Sequence, residues 1–419
     1  MRREEKLFYG WINIILCFMI IFIGTGIGML TFSIYTVPFT EHYRISRTLY
    51  SLSRSISSAC GAAVYFFYGP IVKKVGLKNS VVAGLIAYGA AFLLYGSGFG
   101  VWSLFLGAVI TGLFGGFIGN SALAPIVNNW FNEKRGLLIG IISAASGIGG
   151  SIFSPVLGVV LERCGWQASC LLTAVLLLIC AVPVWILMKV TPQEKGLRPL
   201  GVPRESGAET TEGLTMSEIL RDWRFYLTLA GFLLVHMSNS PAYFNVTPHM
   251  IDTGYSTMTV TGVMMVVLLI CNAGAKPLMG IVNDRCGVLW VMIATCALSA
   301  AGALMMAFLA PGQNWYGVLC VILIGSGTPI STIAIPLFLN RVFGSREYGT
   351  VMGLTLAVGY IGTTGGTPLA NYLFDRSGSY DSSYVLEALF MGIALLFFLA
   401  VLAGRRTRCS GTKGKQTPV

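Results

Sequence analysis

Charge is what this sequence has least of. Asp, Glu, Lys and Arg make up 11% of its 419 residues, under half of the roughly 25% usual in soluble domains. Acidic residues are scarcer than basic ones, 17 against 28. Histidine occurs at three positions, His42, His236 and His249, far apart along the chain. That poverty leaves no metal-ligand spacing and no G-x-S-x-G or H-E-x-x-H element to carry a nucleophile or a metal-bound water. An enzyme is not expected, and no metal or cofactor is implied. The ten cysteines form no C-x-x-C pair. Cys17, Cys60, Cys180, Cys271, Cys296 and Cys320 fall inside apolar stretches, which reads as small buried side chains rather than a disulfide framework.

What is abundant is apolar sequence, at 55% of residues. It is gathered into runs at 9–39, 47–72, 79–98, 101–131, 136–161, 166–190, 222–251, 257–282, 288–310, 314–341, 349–374 and 383–404. About 20 apolar residues cross the roughly 30 Å of bilayer hydrocarbon as a helix, and only a helix satisfies its own backbone there. The predicted fold class is therefore an all-α membrane protein with twelve transmembrane helices. The first run, Gly10 to Phe39, is too long for a signal peptide and lacks a small-residue cleavage site, so it is expected to be retained.

The net charge of +11 suits topology better than nucleic acid. An even number of spans puts both termini on one side. That side collects Arg2, Arg3, Lys6, Lys73, Lys74, Lys78, Lys134, Arg135, the stretch from Lys189 to Arg224, Arg285, Arg341, Arg346 and the tail Arg405, Arg406, Arg408, Lys413 and Lys415. The other side holds Arg44, Arg47, Arg163 and Arg376. Lys and Arg accumulate on the cytoplasmic side, so both termini are expected in the cytoplasm, with the protein in the cytoplasmic (inner) membrane. No nucleic-acid partner is expected; the bilayer is.

A polar, Pro- and Gly-bearing stretch at 191–221 splits the runs six and six. It has the composition of a solvated linker, with room for a short interfacial helix. The expected domains are an N-terminal bundle at 1–190, the cytoplasmic linker at 191–221, a C-terminal bundle at 222–404 and a basic tail at 405–419. The halves repeat. Gly140, Gly149, Pro155, Arg163 and Gly165 align without a gap on Gly353, Gly362, Pro368, Arg376 and Gly378, and Glu162 meets Asp375. Likewise Gly69–Gly76 aligns on Gly280–Gly287. A parallel repeat of six-helix units fits two bundles facing one another.

At these residues the chain resembles the major facilitator superfamily. Gly280, Asp284, Arg285 and Gly287 are similar to that family's loop signature G-x-x-x-D-R-x-G, which implies a role in conformational change; in the first-half copy Lys73 replaces the Asp. Three further stretches resemble the branch of monocarboxylate transporters and oxalate/formate antiporters: Tyr9-Gly10-Trp11, Trp130-Phe131 before Lys134-Arg135-Gly136, and Asn272-x-x-x-Lys276-Pro277-x-x-Gly280. The resemblance implies a carrier of small carboxylates by alternating access, functional as a monomer.

Lys276 stands out on physical grounds too. It lies eight residues before Asp284, about 12 Å into the membrane at 1.5 Å per residue. An ammonium there costs at least about 2.5–3.5 kcal/mol on insertion scales, and Asn272 shares its face at i−4. A donor cation beside an amide suits a carboxylate. The resemblance places an anion-binding Arg at this position, and Lys lacks its bidentate fork. No Asp or Glu is expected deep in a span, Glu387 standing near the start of the last one. The substrate is then the expected counter-ion, and anion exchange or weak proton coupling the expected mode. The oxalate carriers' second basic residue aligns with Val358, which favours one carboxylate over two. By the same resemblance Met29 and Leu30 would meet an apolar substrate tail, and Asn120 would line the path or hydrogen-bond to a neighbouring helix. Tyr65 is the repeat counterpart of Lys276, and Arg54, one to two turns into the second run, would steer anions or reach for the surface. A carrier of another organic acid or of a neutral solute, with Lys276 structural, and a transporter-like sensor remain as alternatives.

Overall fold

Helices account for nearly all the regular structure, and their breaks are as informative as their lengths. The computed structural model describes residues 8–133, 135–201, 213–344 and 346–411. Arg2, Arg3, Lys6 and Lys134, the middle of the linker at 202–212, and Lys413 and Lys415 of the tail lie outside the described residues. The spans run, in chain order, Gly10–Tyr43, Arg47–Val75, Leu77–Gly96 and Val101–Trp130. The fifth and sixth share the 53-residue helix Arg135–Leu187, divided at Gly165. The seventh is Trp223–Phe244 with its continuation Val246–Asp252. Thr257–Cys286, Val288–Met306, Asn314–Phe343, Tyr348–Ser377 and Asp381–Gly411 follow. Among the described residues eight helices, or up to nine if the bent second span is included, are long and apolar enough to cross a membrane by length and composition. One of these is the double-length fifth and sixth. The seventh and eleventh fall short of that test because of polar positions such as His236, Ser238, Asn239, Thr363 and Thr367.

Packing groups the chain into two units. One comprises Met1–Glu205 with Met250–Ala273, the other Ser206–His249 with Gly274–Val419. The core of the first is aromatic: Phe32, Tyr35, Phe39, Phe92, Tyr95 and Trp130 are all buried. That of the second gathers Phe225, Phe232, Phe338 and Phe398. The outward faces are apolar as well, with Ile15, Leu171, Ile179, Ile186 and Leu396 exposed, as lipid-facing helices require. Trp102 and Trp315, each the second residue of its span, are 83% and 73% exposed, where membrane-interface aromatics belong.

The repeat seen in the sequence has a physical counterpart in each unit. A Cβ on Gly149 would stand 2.2 Å from the carbonyl oxygen of Phe22, and one on its repeat partner Gly362 would stand 2.7 Å from that of Leu233. Fifth-on-first and eleventh-on-seventh packing thus depend on the same missing side chain, which lets two helix backbones touch. Gly76 and Gly287 turn the chain at φ +89 and +87, in a region L-residues avoid. The fourth and tenth spans break at matching places, in 3-10 turns Gly116–Ile118 and Thr328–Ile330. The second span bends by 69° between Tyr65 and Phe67. Pro70 explains the place: it has no N–H for the Phe66 carbonyl four residues back, and its ring crowds that carbonyl.

Other ties join distant sequence within the first unit. Arg47 forms a two-bond ion pair with Asp252, its Nη2 2.7 Å from Oδ1. Arg47 opens the second-span helix and Asp252 closes Val246–Asp252, so each charge stands at the unfavourable end of its own helix dipole and is compensated by the other. Ser154 donates to the Thr261 carbonyl at 2.9 Å. The ends of the linker are ordered by reciprocal caps: Thr191 with Glu194 on a short 3-10 turn, and Thr215 with Glu218 on the helix Met216–Arg221, the short helix that the sequence allowed.

Candidate functional site

The residues singled out from sequence fall into three local groups. The first lies on the eighth span. Asn272 and Lys276 are one turn apart in the continuous helix Met265–Cys286; Asn272 is buried and Lys276 half-buried. Pro277 follows directly, so the Ala273 carbonyl receives no helical N–H from it. This turn therefore carries a cation, an amide and a carbonyl that lacks its usual helical donor, a polar composition unusual at membrane depth.

The second group sits at the end of the first span. Residues Ile21–Leu30 are wound as a π-helix, a rare form frequent at functional sites, and Met29 and Leu30 are its last residues, half-buried. Phe32 follows, and the guanidinium of Arg54 lies over its ring, 4.8 Å from the centroid. Phe32 is itself buried among Tyr50, Phe92 and Tyr95. The Arg54 charge thus rests on an aromatic cluster inside the first unit.

The third group is Tyr65 with the break in the fourth span. The Tyr65 ring packs onto Gly116, whose Cβ would stand 3.3 Å from it, and lies 6.0 Å from the ring of Tyr68, which in turn stacks on Phe117. Asn120 restarts the helix after that break and is exposed. Met29, Leu30, Arg54, Tyr65, Asn120 and Asn272 belong to the first unit, and Lys276 belongs to the second.

At the loop signature, Gly280 is half-buried while Asp284 and Arg285 are exposed. Asp284 accepts a long hydrogen bond from Asn283, 3.4 Å, and forms no ion pair among the described residues.

The sequence places Glu387 near the start of the last span, and the structure keeps it there, the seventh residue of Asp381–Gly411. What position does not show is its burial: Glu387 is 3% exposed, because the seventh, ninth and eleventh spans pack around that helix. The available signal was Ser383 at i−4 with Tyr380 and Tyr384 beside it, a polar and aromatic face in an apolar run.

The Major Facilitator Superfamily profile matches residues 16–274 and again 257–419; the chain belongs to that family and is a transporter, not an enzyme. It is 25% identical to monocarboxylate transporter 3 of Gallus gallus, over 98% of this chain and 80% of that one. It is 22% identical to the hexuronate transporter of Bacillus subtilis (strain 168), over 83% and 85%. Among solved structures, a bacterial homologue of the human lysosomal transporter Spinster matches with a TM-score of 0.73 at 16% identity, covering 99% of this chain and all of that one. A point mutant of the nucleoside transporter NupG matches at 0.71 and 14%, over 94% and 99%. Those two likenesses concern the fold.

Proposed function

We propose that this protein is a secondary active carrier of small organic anions, foremost monocarboxylates of the lactate, pyruvate and formate class, working by alternating access as a monomer with two six-helix halves. The observation that carries the reading is Lys276 one turn from Asn272 in the eighth span. A membrane-depth ammonium is costly alone and much less so against a carboxylate. Lys276 supplies the charge and Asn272 a donor or acceptor for the second oxygen or an α-substituent. Met29 and Leu30 offer the apolar contact a short alkyl tail needs. Arg54, over the Phe32 ring, adds positive potential that draws anions in, and Tyr65 and Asn120 line the path. The similarity to monocarboxylate transporter 3 supports the same substrate class.

The Lys and Arg asymmetry supports cytoplasmic termini and a cytoplasmic 191–221 linker in an inner membrane. Gly280, Asp284 and Arg285, in the last turns of the eighth-span helix, and Gly287 just beyond it then stand at the cytoplasmic end, where the Asp and Arg change partners as the carrier cycles. A second reading, a larger organic acid or a neutral solute, is favoured by the similarity to a hexuronate transporter.

Counterflow into proteoliposomes separates these readings, using labelled lactate, pyruvate, formate, a hexuronate, glycerol 3-phosphate and a nucleoside. The proposal expects exchange of the short monocarboxylates. Exchange of the nucleoside or the hexuronate alone would overturn it.

A further inference from the structure

Two acidic side chains are buried among the described residues, and they are held in opposite ways. Asp222 is neutralised by Arg224 through short bonds to its Nε and Nη2. Glu387 has no cation in contact among the described residues. Its Oε1 accepts one hydrogen bond, 2.9 Å from the Ser383 hydroxyl, and its Oε2 is buried with no hydrogen-bond partner.

The surroundings are neutral. Tyr384, on the same helix, is fully buried and its hydroxyl also lacks a partner. The His249 ring lies 5.1 Å from that of Tyr384 and its Nε2 is 3.0 Å from the Met306 carbonyl oxygen. Tyr380 donates to Asn371 Oδ1 at 2.7 Å. On the tenth span Cys320 is fully buried. The ninth span carries no charged residue. On the seventh, Arg224 is taken by Asp222, and His236 lies 3.3 Å from the Thr363 hydroxyl. On the eleventh, Asp375 and Arg376 are exposed, Arg376 lying over the Tyr372 ring. Nor does the helix dipole compensate: Glu387 is the seventh residue of Asp381–Gly411, beyond the first turn where the positive end acts.

A carboxylate held on one donor in this setting is strongly disfavoured, while the neutral acid is tolerated. We propose that Glu387 is a proton-binding site, and that the proton it binds and releases is a co-substrate of the anion. The coupling half of this inference rests on the carrier reading above; the proton-binding half does not. Binding is the simple step –COO⁻ + H⁺ → –COOH. The protonated form lets the twelfth span rearrange without an unpaired charge, and release occurs when rearrangement admits water to Oε2.

Infrared difference spectra of the full-length protein in lipid test proton binding without any substrate. Wild type is expected to show a protonated-carboxyl C=O band that bleaches on alkaline titration and is absent in Glu387→Gln. Ser383→Ala, which removes the donor to Oε1, should raise the frequency of that band. A titration in which Glu387→Gln matches wild type, or a band that never bleaches, overturns the site. Coupling is then read with whichever acid exchanges in counterflow. Glu387→Gln should keep counterflow within about 2-fold of wild type and lose at least 10-fold in accumulation driven by a proton gradient. Retention of gradient-driven accumulation overturns the coupling. Failure of every acid in counterflow would strike the carrier reading and leave the infrared result standing.

Discussion

The second and eighth spans end alike and differ in the middle. Each leads into a glycine turn, Gly76 at φ +89 and Gly287 at φ +87. Upstream, Gly61 and Tyr65 of the second span stand where the eighth has Asn272 and Lys276. The second bends by 69° beside Tyr65; Met265–Cys286 stays one helix despite Pro277. The lesson is a division of labour along each helix. Ends and helix contacts serve the fold, and the repeat keeps them. Midsections serve chemistry, and there the halves part. The fourth and tenth spans tell the same story, with Trp102 and Trp315 at their starts and matched 3-10 breaks within.

If the shared features are structural, disturbing them in either half should do equal damage. Gly149→Leu and Gly362→Leu each drive a branched side chain into a backbone carbonyl, of Phe22 and Leu233 respectively. Each is expected to cost about 3 kcal/mol or more, seen as a large drop in Tm in detergent or as loss of folded protein. Tolerance of Leu at one position and not the other would break the equivalence.

A smaller effect is expected at the Arg47–Asp252 pair, which has no counterpart in the repeat. Arg47→Ala leaves Asp252 at a helix C-terminus without its partner. Because the Asp252 side chain is 31% exposed, the loss should be nearer about 2 kcal/mol than the 3–5 of a fully buried pair. Exchanging the two charges, Arg47→Asp with Asp252→Arg, should recover part of the lost Tm, since each charge then sits at the favourable end of its helix. No recovery in the double variant would mean that packing, not charge, explains the single one.

The smallest effect on stability is expected at the bend. Pro70→Ala returns an N–H to the Phe66 carbonyl and should change stability by less than about 1 kcal/mol. It should lengthen the distance between spin labels placed at Ala62 and Lys73. An unchanged distance would assign the bend to packing instead of proline.

Much of this was legible before any coordinates. Span lengths follow from bilayer thickness, so the apolar runs marked the helices closely. Gly149 and Gly362 announced the repeat because a backbone contact admits no other residue. Pro70 signalled disturbance in the second span, though not its size, which depends on how far the neighbours give way. What stayed hidden depends on folding at a distance. Arg47 and Asp252 are 205 residues apart, and no periodicity pairs them. Glu387 read as a residue near a helix start until the packing of three other spans buried it. The seat of Arg54 over the Phe32 ring is another contact that no periodicity announces. The attachment of Met250–Ala273 to the first unit is likewise a matter of contacts, which the polar linker and the even count of spans do not reveal.

The claim that the eighth span's midsection carries the substrate is tested most directly at Lys276. Counterflow of a labelled short monocarboxylate should be measured for wild type, Lys276→Gln and Lys276→Arg at equal amounts of folded protein. Gln keeps much of the length and hydrogen bonding while removing the charge, so exchange should fall by at least ~100-fold, the loss of about 3 kcal/mol expected for an unmet carboxylate. Arg should retain a measurable part. Exchange by Lys276→Gln at the wild-type rate would contradict the account.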